Sequence, residues 1–249
     1  MPFFDAPEQI HPRHRDCVET VGDKSMRDLN ITCKRRSSPI GIAGNSCAGF
    51  LLIVISTFLV FSQTPTTPEG YVEVGVKLVQ VGHLDDAIAF FTKAIELKPD
   101  LADAYNNRGF VYQKQNKWQL ALADFNKAVQ LQPRNALYYK NRAFVYSTIN
   151  FDMAISDYTT ALKLDPLDYV TWYRLAAHQA QRRISSDQLK AVDHYSEAIR
   201  LKPDFVEAYV GRGVSHNFAG SKDDSAMADF NKAIELMPGY ADAYVKRAE

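Results

Sequence analysis

Few residues with catalytic or metal-binding chemistry occur together in this sequence. His11, His14 and Cys17 have a loosely metal-like spacing, but they lie in a polar stretch that would not place ligands in advance. Gly211-Arg212-Gly213 resembles part of a phosphate-binding loop, yet its surroundings predict a helix and not the required strand and turn. Four further histidines are scattered without a nucleophile or a metal partner: His83, His178, His194 and His216. The sequence therefore predicts a non-enzymatic protein with no cofactor and no metal.

The balanced numbers of acidic and basic residues argue against a partner that would be attracted by the overall charge of the protein. The chain has 249 residues, with 29 Lys and Arg against 29 Asp and Glu. A uniform basic field for nucleic acid is therefore absent, and we expect no nucleic-acid partner. Cys17, Cys33 and Cys47 all precede the helical part of the sequence. That part consequently has no disulfide framework and no thiolate metal site.

The N-terminal third contains a candidate membrane segment. Residues 1–39 are polar and aperiodic, which predicts a disordered tail. Ile40 to Phe61 is uncharged and mostly apolar, and its 22 residues suffice to cross a hydrocarbon core of roughly 30 Å as a helix. The strongly apolar run 48–61 alone has the length of a signal-peptide core, so cleavage near Ser62 is the alternative, favoured if Met26 is the true start.

Basic residues predict the orientation of this segment. Lys34, Arg35 and Arg36 precede it, and no basic residue follows until Lys77. The positive-inside rule places these residues in the cytoplasm and everything after the segment on the far side. We therefore expect a single-pass membrane protein with its folded part extracytoplasmic, or a secreted or periplasmic protein after cleavage. Residues 62–67 are a short Pro/Thr linker.

Residues 102–135 predict a helical hairpin. Tyr105, Gly109 and Tyr112 recur at i, i+4 and i+7 and share one helix face. After a polar break, a second amphipathic run includes Phe125 between small alanines and stops at Pro133. Small residues that face large ones allow two antiparallel helices to approach closely.

This hairpin recurs along the chain. Copies span about 68–101, 102–135, 136–168, 169–205 and 206–240, with a partial copy at 241–249. The order aromatic, small, aromatic, Ala, aromatic, Ala, Pro resembles the tetratricopeptide repeat family. The resemblance implies an all-α fold, a right-handed superhelical solenoid of helix–turn–helix repeats, here preceded by a single transmembrane or signal helix.

Comparison of the copies predicts an ion pair inside three repeats. Arg108, Arg142 and Arg212 precede the small residue of the first helix, and the same three copies carry an Asp before the second-helix aromatic: Asp124, Asp157 and Asp229. The other two copies lack both charges, with Val74 and Phe90 in one and Leu175 and His194 in the other. Joint presence and joint absence indicate an Arg–Asp pair between the two helices.

The resemblance implies that the first helices line a concave groove that binds peptides. The face opposite the core carries ten candidate residues: Asn106, Phe110, Lys114, Lys140, Phe144, Tyr173, Val210, Val214, Asn217 and Phe218. Phe110 and Phe144 could instead pack between repeats. Some family members hold a partner's C-terminal carboxylates with Asn, Lys and Arg, but only Asn141 and Arg174 lie near such positions here. Val170 occupies the lysine position, which argues against such a clamp.

The functional expectation is a membrane-anchored scaffold that binds peptide segments of partner proteins in this groove. The alternative is the N-terminal regulatory region of a larger enzyme, a transferase or kinase, whose catalytic domain lies beyond residue 249. Neither the partner nor the oligomeric state follows from the sequence.

Overall fold

The computed structural model describes residues 65–220 and 224–248, which form eleven α-helices and no strand. The helices are α1 Pro68–Gln80, α2 Leu84–Leu97, α3 Ala102–Lys114, α4 Trp118–Leu131, α5 Ala136–Ile149, α6 Phe151–Leu164, α7 Tyr169–Gln181, α8 Ser185–Leu201, α9 Val206–Ala219, α10 Ser225–Leu236 and α11 Ala241–Ala248. The prediction of an all-α repeat fold is confirmed for these residues.

None of these helices is both long and apolar enough to cross a membrane. The predicted tail at 1–39, with its metal-like His11, His14 and Cys17, and the predicted membrane helix at 40–61 lie outside the described residues.

Short polar side chains and prolines define the helix ends. Thr67 caps α1, since its hydroxyl accepts from the Gly70 amide at 3.1 Å, and Pro68 follows in the first turn, where no intrahelical amide donor is needed. Asn150 caps α6 in the same way through the Met153 amide. Gly220 ends α9 in a left-handed conformation with φ of 72°, which glycine adopts without a steric penalty. These three helix ends are therefore set by local chemistry.

The two helices of each repeat approach closely because a small residue faces an aromatic ring. A β-carbon added at Gly75 would lie 2.5 Å from Phe91 Cε1, and one added at Gly213 would lie 2.7 Å from Phe230 Cε1. Both rings are buried. The aromatic rings thus occupy the space that a side chain on the first helix would need.

The predicted Arg–Asp pairs are confirmed in all three repeats. Arg108 Nε and Nη2 donate to the two carboxylate oxygens of Asp124, both at 2.8 Å. The equivalent pairs are Arg142 with Asp157 and Arg212 with Asp229. Such two-point pairing fixes the guanidinium in one plane.

Each of these arginines also bonds to the preceding repeat, a contact that the sequence comparison did not predict. Arg108 Nη1 donates to Thr92 Oγ1 at 3.0 Å. Arg142 Nη1 donates to Asn126 Oδ1 at 2.9 Å, and Arg212 Nη1 donates to Ser196 Oγ at 3.0 Å. One side chain therefore joins three helices.

The fourth repeat replaces the ion pair with an apolar and aromatic arrangement. Leu175 is buried where the arginine would stand. His194 stands in place of the aspartate, with its Nδ1 2.7 Å from Gln179 Oε1 and its ring 5.2 Å from that of Trp172. Burial lowers the pKa of His194 below the ordinary value of 6.5, so the ring favours its neutral form.

Aromatic side chains also join successive repeats at a constant spacing. Tyr105 donates its hydroxyl to the carbonyl of Pro99 at 3.3 Å, six residues earlier. The same bond recurs from Tyr139 to Pro133, from Trp172 to Pro166, from Tyr209 to Pro203 and from Tyr244 to Pro238. The helices α3, α5, α7, α9 and α11 are thereby fixed to the turns that precede them.

We expect Asp124→Ala to lower the free energy of unfolding by about 3 kcal/mol, because it leaves the Arg108 guanidinium partly buried without its partner. The double variant with Arg108→Val should lose less than Asp124→Ala alone, since no charge then remains unpaired. Chemical denaturation of the four proteins in this cycle measures the coupling. Asp100→Ala, an exposed aspartate, is the matched control. Additive losses in the cycle would refute the pairing.

The fourth repeat predicts a pH dependence of stability. Burial lowers the pKa of both His178 and His194 below 6.5. The unfolded chain therefore takes up these protons first as the pH falls, and stability that is complete above about pH 6.5 decreases below it.

The melting temperature should accordingly fall between pH 7.5 and 5.5, and His194→Gln should make that fall shallower. His83→Gln changes an exposed ring and should leave the slope as in the wild type. Parallel slopes for the wild type and His194→Gln would contradict this account.

Candidate functional site

The first helices of the repeats line the inner surface of the array. Neighbouring first helices α1 and α3, α3 and α5, α7 and α9, and α9 and α11 pack against each other, whereas neighbouring second helices do not pack closely. Helices that approach each other more closely must lie on the inside of the curve. The first helices therefore form the concave side.

A cavity interrupts this inner surface where α5 and α7 meet. Among the described residues, these are the neighbouring first helices that pack least closely. The cavity has a volume of about 400 Å³, which is in the range of roughly 300–1,000 Å³ typical of ligand pockets. It is lined by Phe110, Gln113, Lys140, Asn141, Phe144, Tyr158, Asp168, Val170, Thr171 and Arg174.

One side of the cavity carries an ion pair whose two opposite charges cancel. Lys140 Nζ lies 2.6 Å from Asp168 Oδ2. Asp168 also accepts from the amides of Val170 and Thr171, because it caps α7. Burial opposes ionisation of Asp168, but the bonds from Lys140 and Thr171 prevail and lower its pKa. The pair therefore contributes no net charge.

The other side carries Arg174, whose guanidinium forms no ion pair within the described part of the chain. Its central carbon lies 5.4 Å from the centre of the Phe144 ring. The backbone carbonyl of Arg174 accepts from His178 Nδ1 at 2.7 Å, and the guanidinium lies beside the Tyr158 hydroxyl. The cavity thus has one uncompensated positive charge.

Two polar oxygens at the cavity are almost fully buried: Tyr158 Oη, which lies beside the Arg174 guanidinium, and Gln113 Oε1, which has no hydrogen-bond partner among the described residues. Burial raises the pKa of Tyr158, and the Arg174 cation lowers it by less. The phenol therefore stays protonated.

Three of the ten residues predicted for the groove line this cavity: Phe110, Lys140 and Phe144. All three are half-buried. Phe110 also packs against the core around Phe125, so it contacts both the neighbouring helix and the cavity. Lys114 lies beside it, with its ammonium 5.2 Å from the ring centre.

Two of the predicted residues are not on an open surface. Asn106 is only 5% exposed, and its Oδ1 accepts from Asn141 Nδ2 at 2.8 Å. Val210 is also 5% exposed and belongs to the hydrophobic cluster around Phe230, against which Val214 packs. These side chains hold neighbouring repeats together.

The remaining predicted residues lie towards the C-terminal end of the array. Tyr173 is half-buried between Tyr195 and Phe205, with ring centres at 5.8 and 5.0 Å. Asn217 and Phe218 are exposed, and the Arg183 guanidinium lies 5.4 Å from the Phe218 ring centre. The structure therefore does not bring all ten residues into one site.

The groove prediction left out Tyr158, Asp168 and Thr171, whereas the family resemblance already placed Asn141 and Arg174 near carboxylate-clamp positions. Asn141 is three residues before Phe144, so the two share a helix face. Asp168 could have been found as the residue that caps a helix. Tyr158 is on a second helix, and no periodicity indicated that it reaches the inner surface.

Three segments of the chain match models of known families. Residues 102–135 and 186–241 match models described as tetratricopeptide repeat, and residues 75–116 match a model described as TPR repeat.

Curated relatives match over short stretches. The peroxisomal targeting signal receptor of Candida albicans is 42% identical over 65 residues, which are 26% of this chain and 10% of the receptor. Tetratricopeptide repeat protein 36 of Caenorhabditis elegans is 51% identical over 43 residues, which are 17% of this chain and 24% of that protein. The matches thus span about a tenth to a quarter of these relatives.

Solved structures match over most of the array. The TPR protein YrrB, described as having an unusual peptide-binding site, aligns with a TM-score of 0.64 and 22% identity over 72% of this chain and 91% of its own. The protein MamA aligns with a TM-score of 0.62 and 24% identity over 70% of this chain and 93% of its own. At this identity the likeness shows the fold, and together with the matched repeats it establishes that the chain belongs to the tetratricopeptide repeat proteins.

Proposed function

We propose that this protein is a membrane-anchored, non-catalytic scaffold that holds peptide segments of partner proteins in the concave groove. Tetratricopeptide arrays serve as protein–protein interaction scaffolds, and the repeats establish that general role. The observation that supports the finer proposal is the cavity where α3, α5 and α7 meet, because it opens on the inner surface.

The cavity has the composition of a peptide-binding site. Phe110 and Phe144 supply apolar walls for an anchor side chain. Gln113, Asn141 and Arg174 supply polar groups for an extended backbone or a polar side chain. Aromatic anchors combined with amide groups suit an extended peptide segment that forms no helix or strand.

The groups that could have suggested an enzyme have structural roles in the array. Gly211 and Gly213 lie inside α9, where Gly211 allows the helix to approach the Tyr195 ring. His178 bonds to a backbone carbonyl and His194 lies beside Gln179. These contacts support a binding protein.

The membrane part of the proposal is supported by the sequence of residues 40–61 and by the basic residues before it. We expect a protease added to intact cells to digest the array, since the proposed orientation places it outside the cytoplasm. Immunoblotting with an antibody against the array measures this, and a cytoplasmic protein serves as the internal control. An array that is digested only after the membrane is permeabilised would overturn the orientation.

The groove predicts which substitutions weaken peptide binding. Peptides are first selected from a displayed library on the full chain, and their affinities are measured by fluorescence polarisation. Phe144→Ala should weaken them by about tenfold or more, because it removes an anchor wall of the cavity.

The matched control is Leu120→Ala on the outer helix α4, where the side chain is 50% exposed. It should leave the affinities unchanged. Melting curves of both variants verify that the fold is retained. Failure to select any peptide, or equal losses in both variants, would contradict binding in the groove.

A further inference from the structure

We propose that the cavity between α5 and α7 selects an acidic side chain, Asp or Glu, from within an extended peptide segment. The inference rests on the proposed function, because it names the residue class that the groove recognises. It follows from the charges, from the position of Arg174 and from the walls around it.

The charge of the cavity favours an anionic ligand. Lys140 and Asp168 neutralise each other at 2.6 Å, and Asp168 remains ionised because its hydrogen bonds lower its pKa. Arg174 is left without a carboxylate partner in the described part of the chain. Its charge is partly shielded from water, so a carboxylate from a ligand would complete an ion pair that the fold leaves incomplete.

The position of Arg174 favours a planar, two-point contact. Its guanidinium lies over the Phe144 ring at 5.4 Å, which holds one face of the group. Its N–H donors lie beside the Tyr158 hydroxyl, and no carboxylate of the described residues pairs with them. A carboxylate matches two parallel donors of a guanidinium, whereas a neutral amide offers only one acceptor.

The apolar walls strengthen such a contact. Phe110 and Phe144 line the cavity, so the attraction between Arg174 and a carboxylate is screened less than on an open polar surface.

The cavity suits a side chain better than the end of a chain. A C-terminal acidic residue has two carboxylates and would need two free cations. Here Lys140 is occupied by Asp168, and the residue one turn before Arg174 is the uncharged Val170. The remaining cation at the cavity, Arg174, can pair with one carboxylate.

The experiment compares pools of N-acetylated, C-terminally amidated octapeptides in which only a central residue is fixed. Binding of each pool to the full chain is measured by fluorescence polarisation. Pools with central Asp or Glu should bind about tenfold more tightly than pools with Asn, Gln or Lys. In Arg174→Gln this preference should disappear, so that the acidic and amide pools bind with equal affinity.

Arg200→Gln is the matched control, since it removes the same charge from an exposed position on α8 that does not line the cavity. It should keep the preference, and melting curves report the folding of both variants. Measuring at two salt concentrations separates a partly buried contact from general attraction, because only the latter vanishes in high salt.

The outcomes separate the two proposals. If peptides bind through the groove but acidic and amide pools bind equally, the acidic preference is wrong and the scaffold function stands. The same holds if binding requires a free C-terminus, which non-amidated Gln pools test. If no pool binds at all, the proposed peptide-binding function fails and the acidic preference fails with it.

Discussion

The close approach of two helices within each repeat is the constraint on which the structure depends. A glycine or alanine on the first helix faces a buried aromatic ring on the second, as Gly75 faces Phe91 and Gly213 faces Phe230. This contact sets the distance between the helices. In three repeats the arginine directly before the small residue can reach its aspartate only at that distance, and the concave surface exists only because equivalent hairpins stack in the same way.

Much of the fold could be predicted from the sequence because its determinants are local. The spacing of Tyr105, Gly109 and Tyr112 placed them on one face of a helix, and Pro133 marked the end of the hairpin. The Arg–Asp pairs were predictable for a different reason. Several copies of one unit act as an internal comparison, in which two charges that occur and disappear together indicate contact.

The inner surface was harder to predict because it depends on packing between repeats. Asn106 has a groove-facing position in an isolated hairpin, but the next repeat covers it and Asn141 binds its oxygen. The role of Arg174 also depends on packing between repeats, but there the packing leaves a gap and does not cover the side chain. The cavity beside it opens where α5 and α7 pack loosely, and no periodicity within either helix encodes the gap between them.

The three-helix contacts of the arginines have a mechanical consequence. A linear array transmits force in series, so its resistance to stretching depends on the bonds across each joint. Arg108, Arg142 and Arg212 each connect their own repeat to the one before, whereas the fourth repeat has Leu175 at that position and no such bond from it. The Lys140–Asp168 ion pair bridges that joint instead, so tension between the third and fourth repeats would act directly on a contact that lines the cavity.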